Sequence, residues 1–436
     1  MKLYSTKNPQ QLVELKEAVL RGLPPDNGLY MPAAIPRLPD TFWAGLGRIS
    51  LSEIGLRVSQ HLFGDYIPEP DLVDICTRAL TFPAPLRQLD DQRHILELFH
   101  GPSLAFKDFG ARYMAQLMSY FNRNEDQDLT ILVATSGDTG GAVAAGFFQT
   151  PGIEVVILYP SGKVSPLQEK QLTTLGHNIR ALEIDGTFDD CQALVKQAFL
   201  DTELSQKKRL TSANSINIAR LIPQSFYYFE AYRQLLVEQI PSVTFVVPSG
   251  NFGNLTAGLF ARRMGLPIEH LVAATNRNDV VPRYLQSGEY APRPSHRTLS
   301  NAMDVGNPSN FARMKALFTW PQCSTWNNMK EVIRGYAYSD QETEAAMRFI
   351  HRHYQYIIDP HGAVGYLAMD AYQKEYPNQP VVLLETAHPA KFKSDVDRIL
   401  GQSIPIPERL AELTEKPKSA TFLTPAFKAF KDWLLA

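Results

Sequence analysis

Six runs constrain this chain more than any other feature: Asp128–Thr135 (DLTILVAT), Ile153–Pro160, Asn178–Asp185, Val243–Gly250, His270–Thr275 and Val381–Thr386. Each is short and rich in β-branched residues. Most are apolar along nearly their whole length. A strand with one wet face alternates apolar and polar residues, whereas a strand covered on both faces does not. Helical stretches separate the runs, as in the alanine-rich segment after TSGDTGG. The pattern therefore predicts an α/β fold with mostly parallel sheets. It begins near Arg93. The residues before it read as helices broken by proline-rich turns such as RGLPPDNGLYMPAAIPRLP, so a separate, mainly helical N-terminal domain is expected.

Composition narrows the function classes. The chain has 436 residues, 44% of them hydrophobic and 20% charged, which suits several packed domains and not a disordered chain. A net charge of −2 gives no basis for binding nucleic acid or an acidic membrane surface. Cys76, Cys191 and Cys323 are far apart, so neither a disulfide scaffold nor a zinc site is signalled. His351, His353 and His361 lack the four-residue spacing of helical zinc ligands. The opening MKLYSTKNPQQ has no apolar signal-peptide core, and GAVAAGFFQ is too short to span a membrane. A cytoplasmic protein with a small-molecule substrate is expected, as monomer or homodimer.

Open parallel sheets bind ligands beyond the carboxyl ends of their strands. The residues there are TSGDTGG, YPSGKVS, DGTFDD, PSGNFGN, TNRND and TAHPAK. In PSGNFGN, Gly250 and Gly253 let the backbone approach a ligand, and Asn251 and Asn254 add donors ahead of a helix. That is either a phosphate cradle or a plain strand-to-helix turn. Neither GxxxxGK[ST] nor GxGxxG occurs, which points away from nucleotides. In TSGDTGG, the hydroxyls of Thr135, Ser136 and Thr139 could seat a carboxylate, or Asp138 or Thr139 could simply cap the helix. In SANSINIAR, Ser215 and Arg220 suit a phosphoryl group. The aromatic run Phe226–Phe229 reads as core. Lys107 directly follows Leu104, Ala105 and Phe106 in HGPSLAFKDFGARYM. It is a solvated lysine at a helix start, or a desolvated amine of lowered proton affinity. A reactive lysine, a phosphate cradle and a carboxylate seat together describe pyridoxal phosphate acting on an amino acid.

These motifs resemble the threonine synthase family, in its longer bacterial and fungal type. PDNGLYMP, HGPSLAFKDFGARYM, TSGDTG, NSINIAR, PSGNFGN, MDVGNPSNF and LLETAHP carry the resemblance along nearly the whole chain. It implies a fold-type II, tryptophan synthase beta-like enzyme with two αβα lobes around pyridoxal 5′-phosphate. The expected division is 1–92 for the N-terminal domain, 93–225 for the first lobe and 226–436 for the second. The implied reaction turns O-phospho-L-homoserine and water into L-threonine and phosphate. Lys107 would be the Schiff-base lysine, with Phe106 beside it. Gly250, Asn251, Phe252, Gly253 and Asn254 would hold the cofactor phosphate, and Thr386 would meet the ring nitrogen. Thr135, Ser136 and Thr139 would take the substrate carboxylate, and Ser215 and Arg220 its phosphate. Lys163 is a second cation for that phosphate, placed only by its post-strand loop. Asp138 stands where many relatives have an Asn near the cofactor oxygen. A threonine or serine dehydratase, or a non-catalytic homologue binding the same cofactor, is the alternative.

Overall fold

The computed structural model describes residues 1–319 and 323–436. Its strands in chain order are β1 (Lys2–Ser5), β2 (Asn8–Glu14), β3 (Tyr30–Pro32), β4 (Leu86–Gln88), β5 (Arg93–Glu97), β6 (Leu129–Ala134) and β7 (Ile153–Pro160). There follow β8 (Ile179–Ile184), β9 (Arg209–Ser212), β10 (Val243–Pro248), β11 (Ile268–Thr275), β12 (Ile333–Ala337), β13 (Val381–Glu385) and β14 (Thr421–Leu423). All six runs expected from sequence are strands, each within two residues of its expected limits.

They fall into two parallel sheets. One has the order β14-β8-β7-β6-β9 and is parallel throughout. The other has the order β12-β11-β10-β13-β5-β4, with only β4 antiparallel. The central strands β6 and β10 are buried at every residue, which is why their sequences do not alternate. Sheet membership crosses the segment limits 1–92, 93–225 and 226–436. Strand β5, early in the second segment, pairs with β13, and β14, near the end of the third, joins β8.

The first ninety residues carry four helices, Leu15–Arg21, Asp40–Gly45, Leu51–Phe63 and Glu69–Ala79. They also hold an antiparallel sheet of order β2-β1-β3 that the sequence reading did not foresee. Five of the seven residues of β2 are exposed, so no apolar periodicity announced it. Helix Lys107–Asn122 packs against helix Glu69–Ala79 on one side and Asp138–Phe147 on another, and so ties this segment to the first sheet. No helix among the described residues is long and apolar enough to cross a membrane.

Candidate active site

Lys107 opens helix Lys107–Asn122, and the chain before it is clamped to the end of β13. Phe106 N–H donates to the Thr386 carbonyl at 2.9 Å, and His388 N–H donates to the Leu104 carbonyl at 3.0 Å. This places Phe106 and Lys107 beside Thr386, although the residues are far apart in sequence. Leu104 holds a left-handed backbone (φ 58°), an uncommon conformation for a γ-branched residue. Burial pulls the Lys107 ammonium down to about 8, and Lys391 and Arg220 push the same way against the opposing pull of Asp138. The side chain keeps 17% of its surface, so the site is open to a small molecule.

Asp138 lies between two lysines. Its Oδ1 is 2.7 Å from Lys391 Nζ and its Oδ2 is 3.9 Å from Lys107 Nζ. Gln168 Nε2 donates to Oδ1 at 2.8 Å. Burial alone would raise this carboxyl, but Lys391, then Lys107, and the Gln168 amide hold it well below the usual carboxylate range. Lys391 is buried and also donates to the Ser103 carbonyl at 2.9 Å. Neither Lys391 nor Gln168 was singled out from sequence. The only signal was that Lys391 closes the post-strand stretch TAHPAK.

The loop after β10 is built by close approach. A Cβ on Gly250 would lie 2.7 Å from the Ala302 carbonyl oxygen, so only glycine fits there. Phe252 turns left-handed (φ 59°) and hands the chain to helix Gly253–Arg263. Asn251 is a tie: its Nδ2 donates to Ser215 Oγ at 2.6 Å, its Oδ1 accepts from Ser309 N–H at 2.6 Å, and its carbonyl accepts from Asn310 Nδ2 at 3.0 Å. Three sequence motifs thus meet at one side chain. Asn254 Oδ1 accepts from Tyr227 and Tyr228 hydroxyls at 2.5 and 2.9 Å, which leaves its buried Nδ2 a donor without an acceptor. The aromatic run Phe226–Phe229 is fully buried, as expected of core.

Arg220 sits on the short helix Ile218–Leu221, capped by Asn217. Its guanidinium is buried, donates to the Ala213 carbonyl at 2.7 Å, and leaves Nε unpartnered. Burial pulls it down to about 10. Its backbone lies against Gly110 of the Lys107 helix. Thr135 is tied into its own loop. Its Oγ1 accepts from Gly137 and Gly140 N–H at 3.0 and 2.9 Å, so this hydroxyl caps its own loop. The exposed Ser136 and half-buried Thr139 keep their hydroxyls free of such bonds among the described residues. Lys163 stands exposed on the turn after β7, without a side-chain partner among the described residues. The three histidines do not converge: His361 is buried on Asp359, His353 stacks on Phe349, and His351 meets Gln402.

Models of known families match the chain almost end to end. Residues 2–80 match "Threonine synthase N terminus", 81–387 match "Pyridoxal-phosphate dependent enzyme", and 362–433 match "Threonine synthase, C-terminal". The chain belongs to the threonine synthase family. It is 46% identical to threonine synthase of Haemophilus influenzae, covering 100% of both chains. It is 45% identical to that of Escherichia coli, covering 100% of this chain and 99% of the relative. The crystal structure of threonine synthase from Escherichia coli superposes with a TM-score of 0.91 at 44% identity, covering 100% of this chain and 99% of that one. A pyridoxal-phosphate-bound threonine synthase from Brucella melitensis gives 0.93 at 36% identity, covering 100% and 98%. The threonine synthase family thus accounts for the expected fold, two sheets flanked by helices.

The residues present fit the family's cofactor on their own chemistry. A desolvated lysine keeps part of its surface open, and a glycine loop leads into a helix N-terminus. A buried amide donor, Asn254 Nδ2, lacks an acceptor. Arg313, which sequence reasoning overlooked, bonds to the Tyr30 and Ile216 carbonyls and to Asn310, whose side chain holds the Asn251 carbonyl of this loop.

Proposed function

We propose that the chain converts O-phospho-L-homoserine and water into L-threonine and phosphate, as a carbon–oxygen lyase acting on phosphates. One observation carries the proposal: the desolvated Lys107 lies within electrostatic reach of the buried, incompletely bonded Arg220, and the Gly250–Asn254 loop is tied through Asn251 to Ser215 of the segment that carries Arg220. One anion-ready place suits the cofactor phosphate and the other a substrate phosphate. A dehydratase has no need of the second. Full-length identity of 45–46% to threonine synthases supports this reading, while the likeness to a threonine deaminase, at 20% identity, extends to the fold alone. The buried free thiols of Cys76 and Cys191 suit a reducing cytoplasm.

Bound pyridoxal phosphate supplies a conjugated ring that takes up the electron pair released at the substrate α-carbon. Lys107 Nζ anchors that group. With its pKa near 8 it then serves as the base that moves a proton at Cα and next at Cβ. Ser136 and Thr139 seat the substrate carboxylate. Arg220, with Ser215, grips the phosphate and stabilises the charge that grows on the leaving oxygen as the Cγ–O bond breaks. Thr386 would help hold the cofactor ring with a hydroxyl, which unlike a carboxylate would not fix a proton on it.

The test uses the purified chain. Phosphate released from O-phosphohomoserine should equal threonine formed. Borohydride reduction and peptide mapping should place the cofactor on Lys107. Lys107→Ala should lose the near-visible cofactor absorbance and essentially all turnover. A label on another lysine, or phosphate release without threonine, overturns the assignment.

A further inference from the structure

Arg313, on helix Phe311–Phe318, is wholly buried and has no ion-pair partner among the described residues. Its Nε donates to the Tyr30 carbonyl at 3.0 Å and its Nη2 to the Ile216 carbonyl at 2.6 Å. Its Nη1 donates to Asn310 Oδ1 at 2.8 Å and to the Ser215 carbonyl at 3.4 Å. Every acceptor is neutral, and burial pulls the guanidinium down to about 9. A cation so placed is expensive to keep charged unless a negative charge compensates it.

The acceptors show where that charge belongs. Asn310 also donates to the Asn251 carbonyl, and Ser215 Oγ accepts from Asn251 Nδ2. The guanidinium therefore stands one residue behind the Gly250–Asn254 loop, on two sides. That loop has no cationic side chain of its own. We infer that Arg313 is the counter-charge for the cofactor phosphate, a positioning residue that acts through Asn310 and Ser215 without touching the ligand. This rests on the assignment of the loop to that phosphate. A buried charge acting through a low-dielectric interior needs no direct contact to matter. The link to Tyr30 also makes the N-terminal segment part of the loop's support.

The experiment compares two ligands that differ only in the phosphate. Full-length wild type, Arg313→Gln and Arg313→Lys are stripped of cofactor and titrated with pyridoxal phosphate and with pyridoxal, followed by absorbance. Arg313→Gln should weaken pyridoxal phosphate roughly ten- to a hundredfold and leave pyridoxal within about twofold. Arg313→Lys, which keeps the charge, should recover much of the preference. Equal weakening of both ligands would mean a purely structural tie and overturns the inference. So does unchanged pyridoxal phosphate affinity with a raised KM for O-phosphohomoserine, which would assign the charge to the substrate. Should Arg313→Gln not fold, Asn310→Ala cuts the link to Asn251 and should lower the phosphate preference in the same direction; an unchanged preference there also overturns it. If wild type itself binds pyridoxal as tightly as pyridoxal phosphate, the loop assignment has failed rather than the role of Arg313.

Discussion

Asp138 shows how single charges set the chemistry around Lys107. A carboxylate beside the lysine would keep it protonated, yet desolvation wins and the ammonium falls to about 8. Lys391 shares the carboxylate at 2.7 Å, while Lys107 is 3.9 Å away. Lys391→Met should therefore cost stability, by less than the roughly 3–5 kcal/mol of a wholly stranded buried charge, because Lys107 and Gln168 still face the carboxylate. The Asp138 carboxyl is lower in the folded state than its ordinary 3.8, so its contribution is present above that value and lost as pH falls below it. Without Lys391 the folded-state value rises towards 3.8, so the stability lost on acidification should be smaller and should be complete at a higher pH. Denaturant titrations across the acidic range would check this, with Asp138→Asn/Lys391→Met recovering part of the loss. Identical pH profiles for wild type and Lys391→Met would refute it. None of this was readable from sequence, since Lys391 acquires its partner only when the turn after β13 meets the helix after β6. Lys107, by contrast, was marked by its apolar neighbours, and Arg220 by its place in NSINIAR.

Among the loops, the one after β10 is closely confined by its neighbours. A Cβ on Gly250 would meet the backbone of the facing segment, the Ala302 oxygen at 2.7 Å and Met303 Cα at 2.8 Å. The facing segment cannot swing aside, because Ala302 N–H donates to His361 Nε2 at 3.2 Å and His361 is fixed by Asp359 at 2.6 Å. Gly250→Ala should displace the loop, at about 1–3 kcal/mol. The gain in melting temperature on adding pyridoxal phosphate should shrink, since that gain follows affinity. An undiminished gain would show that the loop does not hold the ligand. Sequence legibility at this scale followed burial. Strands β6, β7 and β10 are apolar because both faces are covered, and they could be read directly. Strand β5 carries Arg93, His94 and Glu97, whose partners lie elsewhere in the chain, and so had no apolar signature. Strands β12 and β14 lie at sheet edges and are largely exposed or half-buried. The bonds that Thr135 Oγ1 accepts from its own loop were not legible in sequence, because only the turn geometry brings those N–H groups to it.

At the scale of the molecule, both large sheets borrow strands from distant parts of the chain. Strand β14 and helix Phe427–Leu435 complete the β6–β9 sheet, where Phe430 and Leu434 pack in one core with Leu182, Ile184, Cys191 and Leu194. Ending the chain after Lys416 should uncover this core. We expect a lower melting temperature and a second reactive thiol, because burial now pushes Cys191 up to about 12 while Cys323 is already exposed. Thiol titration of the native truncated protein would count them, and one reactive thiol in both forms would contradict the prediction. The other borrowed strand sets an order on biosynthesis. A ribosome delivers β5 at residues 93–97, but its parallel partner β13 comes only at 381–385. Until then a nascent chain can pair β5 only with β4 and must carry its other edge, with Ile95 and Leu96, uncovered, a natural foothold for a chaperone. The bridge that fixes Lys107 joins Ala105 to Ala387, so translation must pass residue 387 before the lysine has its final neighbours.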